Sequence, residues 1–228
     1  MSLLYIEKIS ADIREAFAKK VETIANDLGI HPDWLMQVMW AESKLKPSAA
    51  NRQGNDRHLV AAGLLQFTNG SGIVKAGKVP SIGHILSMSA LDQLNLVRWY
   101  FTPFRRKMRN YYDVYAVTFF PAMIGKPDDW ILQTKTLSAT TIAKQNPAIS
   151  KGRSRIKVAD FKRYTVGLVP SNLRSRLFGV VNEVVQEVKQ EAAQVQAVVA
   201  TAPPPVKSVG TGVIIGLCLL GWFFLNRG

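Results

Sequence analysis

The sequence predicts a mainly α protein: a helical domain over residues 1–165, an amphipathic helical stalk over 171–200, a Pro-rich linker over 201–208 and a C-terminal transmembrane helix over 209–225. Three observations carry this. Apolar residues recur at steps of three and four along several segments, as they do on helices with one buried face. The run Ala202-Pro203-Pro204-Pro205 cannot continue a helix and makes an extended spacer. Beyond it, Val209 to Leu225 is 17 residues without a charge, at the lower limit for crossing a bilayer core as a helix.

The elements follow in order. Ile6, Ile9, Ile13, Phe17, Val21, Ile24 and Leu28 form one apolar stripe, which predicts a first amphipathic helix ending at Gly29 as its cap. Pro32 suits the first turn of a second helix, PDWLMQVMWAES. Residues 46 to 73 are punctuated by Pro47, Asn51, Gly54, Asn55, Gly63, Asn69, Gly70 and Gly72 and read as loop. Ser89-Ala90-Leu91-Asp92 is a capping signal for a third helix running to about Phe101. A fourth covers about Tyr111 to Met123, with Pro121 near its end. Residues 125 to 160 are mixed, with Lys126-Pro127-Asp128-Asp129 opening a further short helix.

In the stalk, Leu177, Val180, Val181, Val184, Val185 and Val188 make an apolar band, with Glu183, Glu187, Lys189 and Glu191 on the polar side. Such a band can pack on the domain, lie on a membrane or self-associate. Trp222, Lys207 and Arg227 flank the apolar tail as interfacial anchors do, which makes membrane lipid an expected partner. Gly212 and Gly216 offer a helix-packing face within it.

A formal charge of +13 and a pI near 10.0 call for a polyanionic partner or surface, whether nucleic acid, anionic lipid or bacterial cell wall. The densest basic cluster, Arg105, Arg106, Lys107 and Arg109, is short and carries no nucleic-acid motif, so no nucleic-acid partner is expected. The only cysteine, Cys218, lies in the apolar tail, which excludes an internal disulfide and a cysteine-based metal site. His31, His58 and His84 lack the spacing of zinc enzymes. The stretch Asn146 to Ile156 has the outline of a calcium loop but lacks its carboxylates. No metal and no cofactor are expected.

Leu35, Val38, Met39 and Glu42 fall at i, i+3, i+4 and i+7 of the second helix and share one face. A carboxylate ending an apolar stripe is unusual unless something pairs or uses it. Burial and the negative end of the helix would both raise its pKa. An acid kept protonated near neutral pH is what a glycosidic leaving oxygen needs. The plainer reading is a surface Glu at a helix end.

Glu42-Ser43 at the end of an apolar helix, followed about twenty residues on by Gly63-Leu64-Leu65-Gln66-Phe67, resembles the lytic transglycosylase family related to goose-type lysozyme. Members carry Glu-Ser and then Gly-Leu-Met-Gln, with Leu65 here in place of Met. HPDWLMQVMWAESKLKPSAAN resembles the first motif helix, and MSALDQLNLVRWYF resembles phage-associated members. The resemblance covers about residues 20 to 130. It implies a lysozyme-like fold and a peptidoglycan substrate. Glu42 would protonate the oxygen bridging N-acetylmuramic acid and N-acetylglucosamine, then act as base on the sugar's own 6-hydroxyl to give a 1,6-anhydro product.

The resemblance further implies that Ser43 holds Glu42 or the sugar, that Gly63 lets backbone approach the glycan, and that Gln66 bonds sugar groups. Leu65 and Phe67 would belong to the substrate-binding loop, Phe67 in the apolar wall beside the acid. The family's third motif, Ala-Tyr-Asn, has no unique register in Tyr115-Ala-Val-Thr-Phe-Phe-Pro121. Phe119 can stand where the family has Tyr, and Tyr115, four residues earlier on the same face, can supply the hydroxyl instead. Both can equally be core. A hydrolase would need a second carboxylate. Asp56, between Arg52 and Arg57, is the candidate within the motif region.

The N-terminal MSLLYIEKISADIREAF has no continuous apolar core and does not read as a secretory signal. A tail-anchored wall-cutting enzyme without one fits a phage protein carried in the internal membrane of a virion, where self-association or capsid contacts are further partners. The alternative is a non-catalytic glycan-binding or structural membrane protein of a virus particle.

Overall fold

Four local signals set the helical frame around the second helix. The structure, a computed structural model, describes residues 2–179. Helix α1 (Arg14–Leu28) buries Phe17, Val21, Ile24, Ala25 and Leu28, and Gly29 ends it at φ +73°. Pro32 opens α2 (Pro32–Ser43), with the His31 side chain accepting from the Asp33 amide at 3.2 Å. Ser89 caps α4 (Ala90–Phe101), its hydroxyl accepting from the Asp92 amide at 3.0 Å, after the single turn α3 (Ile82–Ile85). Asn110 caps α5 (Tyr111–Phe119) in the same way through the Asp113 amide at 2.9 Å. The molecule is mainly α.

Helix α2 is the spine. Asp33, Leu35, Met36, Gln37, Val38, Met39 and Ser43 are all buried, so it has no fully solvated face and is wrapped by its neighbours. It packs on α1 and on α5, while α1 also packs on α4.

Four expectations need correction. The apolar stripe at Ile6 and Ile9 does not extend α1: Ile6–Lys8 is one 3-10 turn and Ile9 is extended. Ser10 bonds the Asp12 carboxylate, and the Arg14 guanidinium folds back onto the carbonyl of Ile9 at 3.0 Å. These local side-chain bonds compete with helix. Within the stretch read as loop lies a hairpin, β1 (Ala50–Gln53) antiparallel to β2 (His58–Ala62), with a bulge between Asn51 and Arg52. Helix α5 stops at Phe119, and Pro121–Met123 adds only a 3-10 turn. No helix opens at Lys126. Pro127 to Trp130 makes only a turn, Trp130 N donating to Pro127 O at 3.0 Å, and residues 130–132 then run against 156–158, with Leu132 N donating to Ile156 O at 2.9 Å and Val158 N to Trp130 O at 3.0 Å.

Three helices follow: α6 (Ala139–Gln145), α7 (Pro147–Ser150) and α8 (Val158–Gly167). Helix α7 occupies the calcium-like stretch, and the Asn146 amide nitrogen is bonded to Ile142 O at 2.8 Å. Among the described residues no cluster of His, Cys, Asp and Glu could hold a metal ion. The last helix among the described residues is α9 (Arg174–Phe178), within the expected stalk. The rest of the stalk, the linker and the expected transmembrane helix lie outside the described residues, within which no helix is long and apolar enough to cross a membrane. Residues 180–228 carry three basic and three acidic side chains, so the whole excess of +13 belongs to the part before them.

Candidate active site

Glu42 occupies the last turn of α2, partly buried, where the helix ends under strain. Both residues after Ser43 are left-handed without being glycine: Lys44 at φ +55° and Leu45 at φ +58°. Each costs about 1–2 kcal/mol over ordinary backbone. The Lys44 amide returns to Trp40 O at 2.9 Å, and Leu45 is buried, which holds the chain in this turn. The strain turns the chain sharply away just beyond the carboxylate.

Ser43 joins the helix end to the second motif. Its hydroxyl lies 2.9 Å from Met39 O and 2.9 Å from Leu64 O, so its one proton is shared between its own helix and the loop 63–67. The loop is tied down further. Gly63 N donates to Ala49 O at 2.8 Å, while Ala62 and Phe67 exchange backbone bonds at 3.0 and 2.9 Å. Gln66 is left-handed at φ +50°, and its side-chain nitrogen lies 3.1 Å from both Ala49 O and Gly63 O. That nitrogen is engaged within the loop rather than offered to a sugar. Leu65 is buried. Phe67 is buried too, its ring edge-on to Tyr100 at 5.7 Å.

Gly63 has a packing role. It stands at φ +79°, and a Cβ there would meet Gln93 Oε1 at 2.5 Å and Ile85 Cγ2 at 2.6 Å. Gln93, fully buried on α4, accepts from Leu64 N at 2.8 Å. Its nitrogen donates to Pro47 O at 2.8 Å and Ile85 O at 2.9 Å. One amide thus ties both ends of the hairpin region to α4. Sequence reading passed it over, although the signal was present: a glutamine on the apolar stripe that includes Ala90, Leu94 and Val97 must find partners.

From the other side comes α5. Tyr111 is 1% exposed, and its hydroxyl completes no hydrogen bond. Burial first, and then the charge of Glu42, hold that hydroxyl protonated well above the usual phenol range. The side-chain nitrogen of Gln37 is likewise buried without a bond, and its oxygen accepts from the Tyr5 hydroxyl at 2.7 Å. Gln37 is close enough to favour a phenolate on Tyr111, against those two effects, without reaching bonding geometry. Tyr5, Gln37 and Tyr111 lie together where α2 meets α5.

No family model matches the chain, and no curated protein or solved structure matches it either. The site therefore stands on its own geometry.

The two stretches separated in sequence, Glu42-Ser43 and Gly63 to Phe67, are adjacent through Ser43. Tyr115 and Phe119 lie on α5, both buried: Tyr115 stacks on Tyr111 at 6.1 Å, and Phe119 stacks on Phe161 of α8 at 5.0 Å. Tyr111, one helical turn before Tyr115, also feels the charge of Glu42. Asp56 lies in the exposed hairpin turn, 82% exposed and 3.3 Å from His58 Nε2.

Proposed function

We propose that this chain is a peptidoglycan-cutting lytic transglycosylase with a lysozyme-like domain, and that Glu42 is its single acid/base. The observation that carries the reading is the Ser43 hydroxyl at 2.9 Å from Leu64 O, which fuses the Glu-Ser helix end to the Gly-Leu-Leu-Gln loop as one unit. Tyr111 supports it from α5 as a buried hydroxyl within the field of Glu42.

In this reading Glu42, protonated, gives its proton to the oxygen between N-acetylmuramic acid and N-acetylglucosamine as the bond to the anomeric carbon breaks. The resulting carboxylate stabilises the cationic sugar and takes the proton of its 6-hydroxyl, whose oxygen closes onto that carbon. No water is consumed. Ser43 and Gln66 act by holding the loop, because their protons are committed to backbone carbonyls. Asp56, exposed and paired with His58, is poorly placed to be the shielded second carboxylate of a hydrolase.

A second reading, a glycan-binding or structural protein of a virus particle without catalysis, draws on the engaged Gln66 nitrogen. Digestion of purified peptidoglycan by the full chain and by Glu42→Gln, with products identified by mass, separates the two. Anhydro-muropeptides from the wild type alone are expected. Reducing-end products would point to a hydrolase, and no products from a folded wild type would favour the binding protein.

The tail at 209–225 is read as a membrane anchor, and delivery inside a membrane-containing phage particle is the matching location. Mass spectrometry of purified particles is expected to find the chain; its absence there removes this part.

A further inference from the structure

Helix α7 packs on α8, and between them lies a cleft of about 330 Å³ that no residue of the Glu42 site lines. Ile149, Tyr164 and Leu168 supply its apolar lining, and Lys151, Arg153 and Arg163 its cations. Arg153 is built into the cleft. Its guanidinium donates to Ser150 O at 3.0 Å and to Ile149 O at 3.3 Å, both at the end of α7, and pairs with Asp160 at 2.8 Å. Half of the Arg153 side chain is nonetheless exposed. These three bonds fix the plane of the guanidinium, so the rest of its fork is oriented before any ligand arrives.

Lys151 is exposed and stands in left-handed backbone at φ +47°, where glycine would be unstrained and a lysine is not. Asp160 is the one carboxylate of the lining, 7% exposed, and its oxygens already accept from Arg153, from Arg163 at 3.2 Å and from Lys157 N at 2.9 Å. Three cations thus face one engaged acid. The surrounding stretch 144–163 repeats the imbalance, with seven basic residues and one acidic. An anion entering the cleft meets a clear excess of positive charge.

We propose that this cleft binds the phosphate headgroup of an anionic lipid, with the phosphate at Lys151 and Arg153 and the stem of the lipid against Ile149 and Leu168. A free phosphate has no use for the apolar lining, and an uncharged sugar has none for the cations. A phosphate ester on an apolar stem uses both. Lipid is the chosen source because the reading of 209–225 as an anchor holds the domain beside a membrane. Bound there, the headgroup sets which face of the domain meets the leaflet. The proposal is independent of the reading of Glu42.

The test uses the full chain in micelles of an uncharged detergent doped with phosphatidylglycerol or, separately, phosphatidylcholine. Amide hydrogen exchange over 147–168 is followed by peptide mass as the lipid fraction rises. Saturable protection by phosphatidylglycerol and not by phosphatidylcholine is expected. Lys151→Gly removes the ammonium and relieves the backbone, so it should melt no lower than wild type yet need about fivefold more phosphatidylglycerol for half protection. Lys151→Arg, which keeps the charge, should stay near wild type, as should Lys19→Gln, an exposed lysine of α1 outside the lining. Equal protection by the two lipids, no protection by either, or a Lys151→Gly titration matching wild type overturns the proposal. Inorganic phosphate or soluble poly(glycerol phosphate) protecting as well as the lipid, at equal phosphate concentration, overturns the assignment to lipid.

Discussion

Gly63→Ala probes whether the second motif needs glycine for packing or for access to a glycan. The substitution carries two costs. Holding alanine at φ +79° costs about 1–2 kcal/mol. The new Cβ would also stand 2.5 Å from Gln93 Oε1 and 2.6 Å from Ile85 Cγ2, both on buried side chains. Overpacking of this kind costs about 1–3 kcal/mol. If Gln93 yields, the Leu64 amide loses its acceptor at a further cost of about 1–3 kcal/mol.

Gly54→Ala is the control, because Gly54 has nearly the same φ, +75°, with nothing within 4 Å of the added carbon. It carries the backbone cost alone. The difference between the variants isolates the clash, expected at about 1–3 kcal/mol, or about 2–6 kcal/mol where Gln93 yields. Urea unfolding of the full chain in mild detergent, read as midpoints at a common slope, measures it. If Gly63→Ala is no less stable than Gly54→Ala while losing glycan cleavage, the packing account fails. Access to substrate would then be the reason for the glycine.

Ser43→Ala removes the bridge between Met39 O and Leu64 O and is expected to cost about 1 kcal/mol in a thermal melt, with a clear fall in glycan cleavage; full activity would separate the loop from the acid. Asp160→Asn weakens the carboxylate that accepts from Lys157 N at 2.9 Å and pairs with Arg153 at 2.8 Å and Arg163 at 3.2 Å. A loss of about 1–3 kcal/mol and faster amide exchange over 151–157 are expected, and unchanged exchange would contradict it. Alkaline pH should destabilise the protein. Tyr112 is pushed up to about 12, first by burial and then by Asp128, and Tyr111 is raised further still. Between about pH 10, where tyrosines of the unfolded chain ionise, and the folded-state values, the unfolded state binds fewer protons, so stability falls as pH rises. Tyr111→Phe should flatten that fall in a pH series of melts, and an unchanged slope would mean Tyr111 is not the buried phenol described.

What the sequence made legible was what short-range chemistry decides. Gly29, Pro32 and Ser89 each act on backbone within four residues, and α1, α2 and α4 end or begin where those residues say. The hairpin was hidden because β1, Ala-Asn-Arg-Gln, shows no alternation of apolar and polar residues and has no buried residue. It is held by its ladder and by bonds to Ala49 O from Gly63 and Gln66, which depend on the returning chain. The stripe at Ile6 and Ile9 failed for the opposite reason: the spacing suited a helix, but bonds made by Ser10 and Arg14 closed the chain first. At the site, the two motif stretches were visible as sequence and their junction at Ser43 was not. Tyr111 was missed because helix periodicity gives the face it shares with Tyr115 but not how deeply the start of α5 is buried.

The contacts of Asp33 have a consequence for the topology of the domain. Its carboxylate accepts from the Leu4 amide at 2.8 Å and from Arg176, whose guanidinium also reaches Ser2 O. The first and last of the described residues therefore meet around a single side chain. In a chain cut after residue 179, a short peptide back to Ser2 would join them at small entropic cost, and new ends could open at the exposed turn around Gly54.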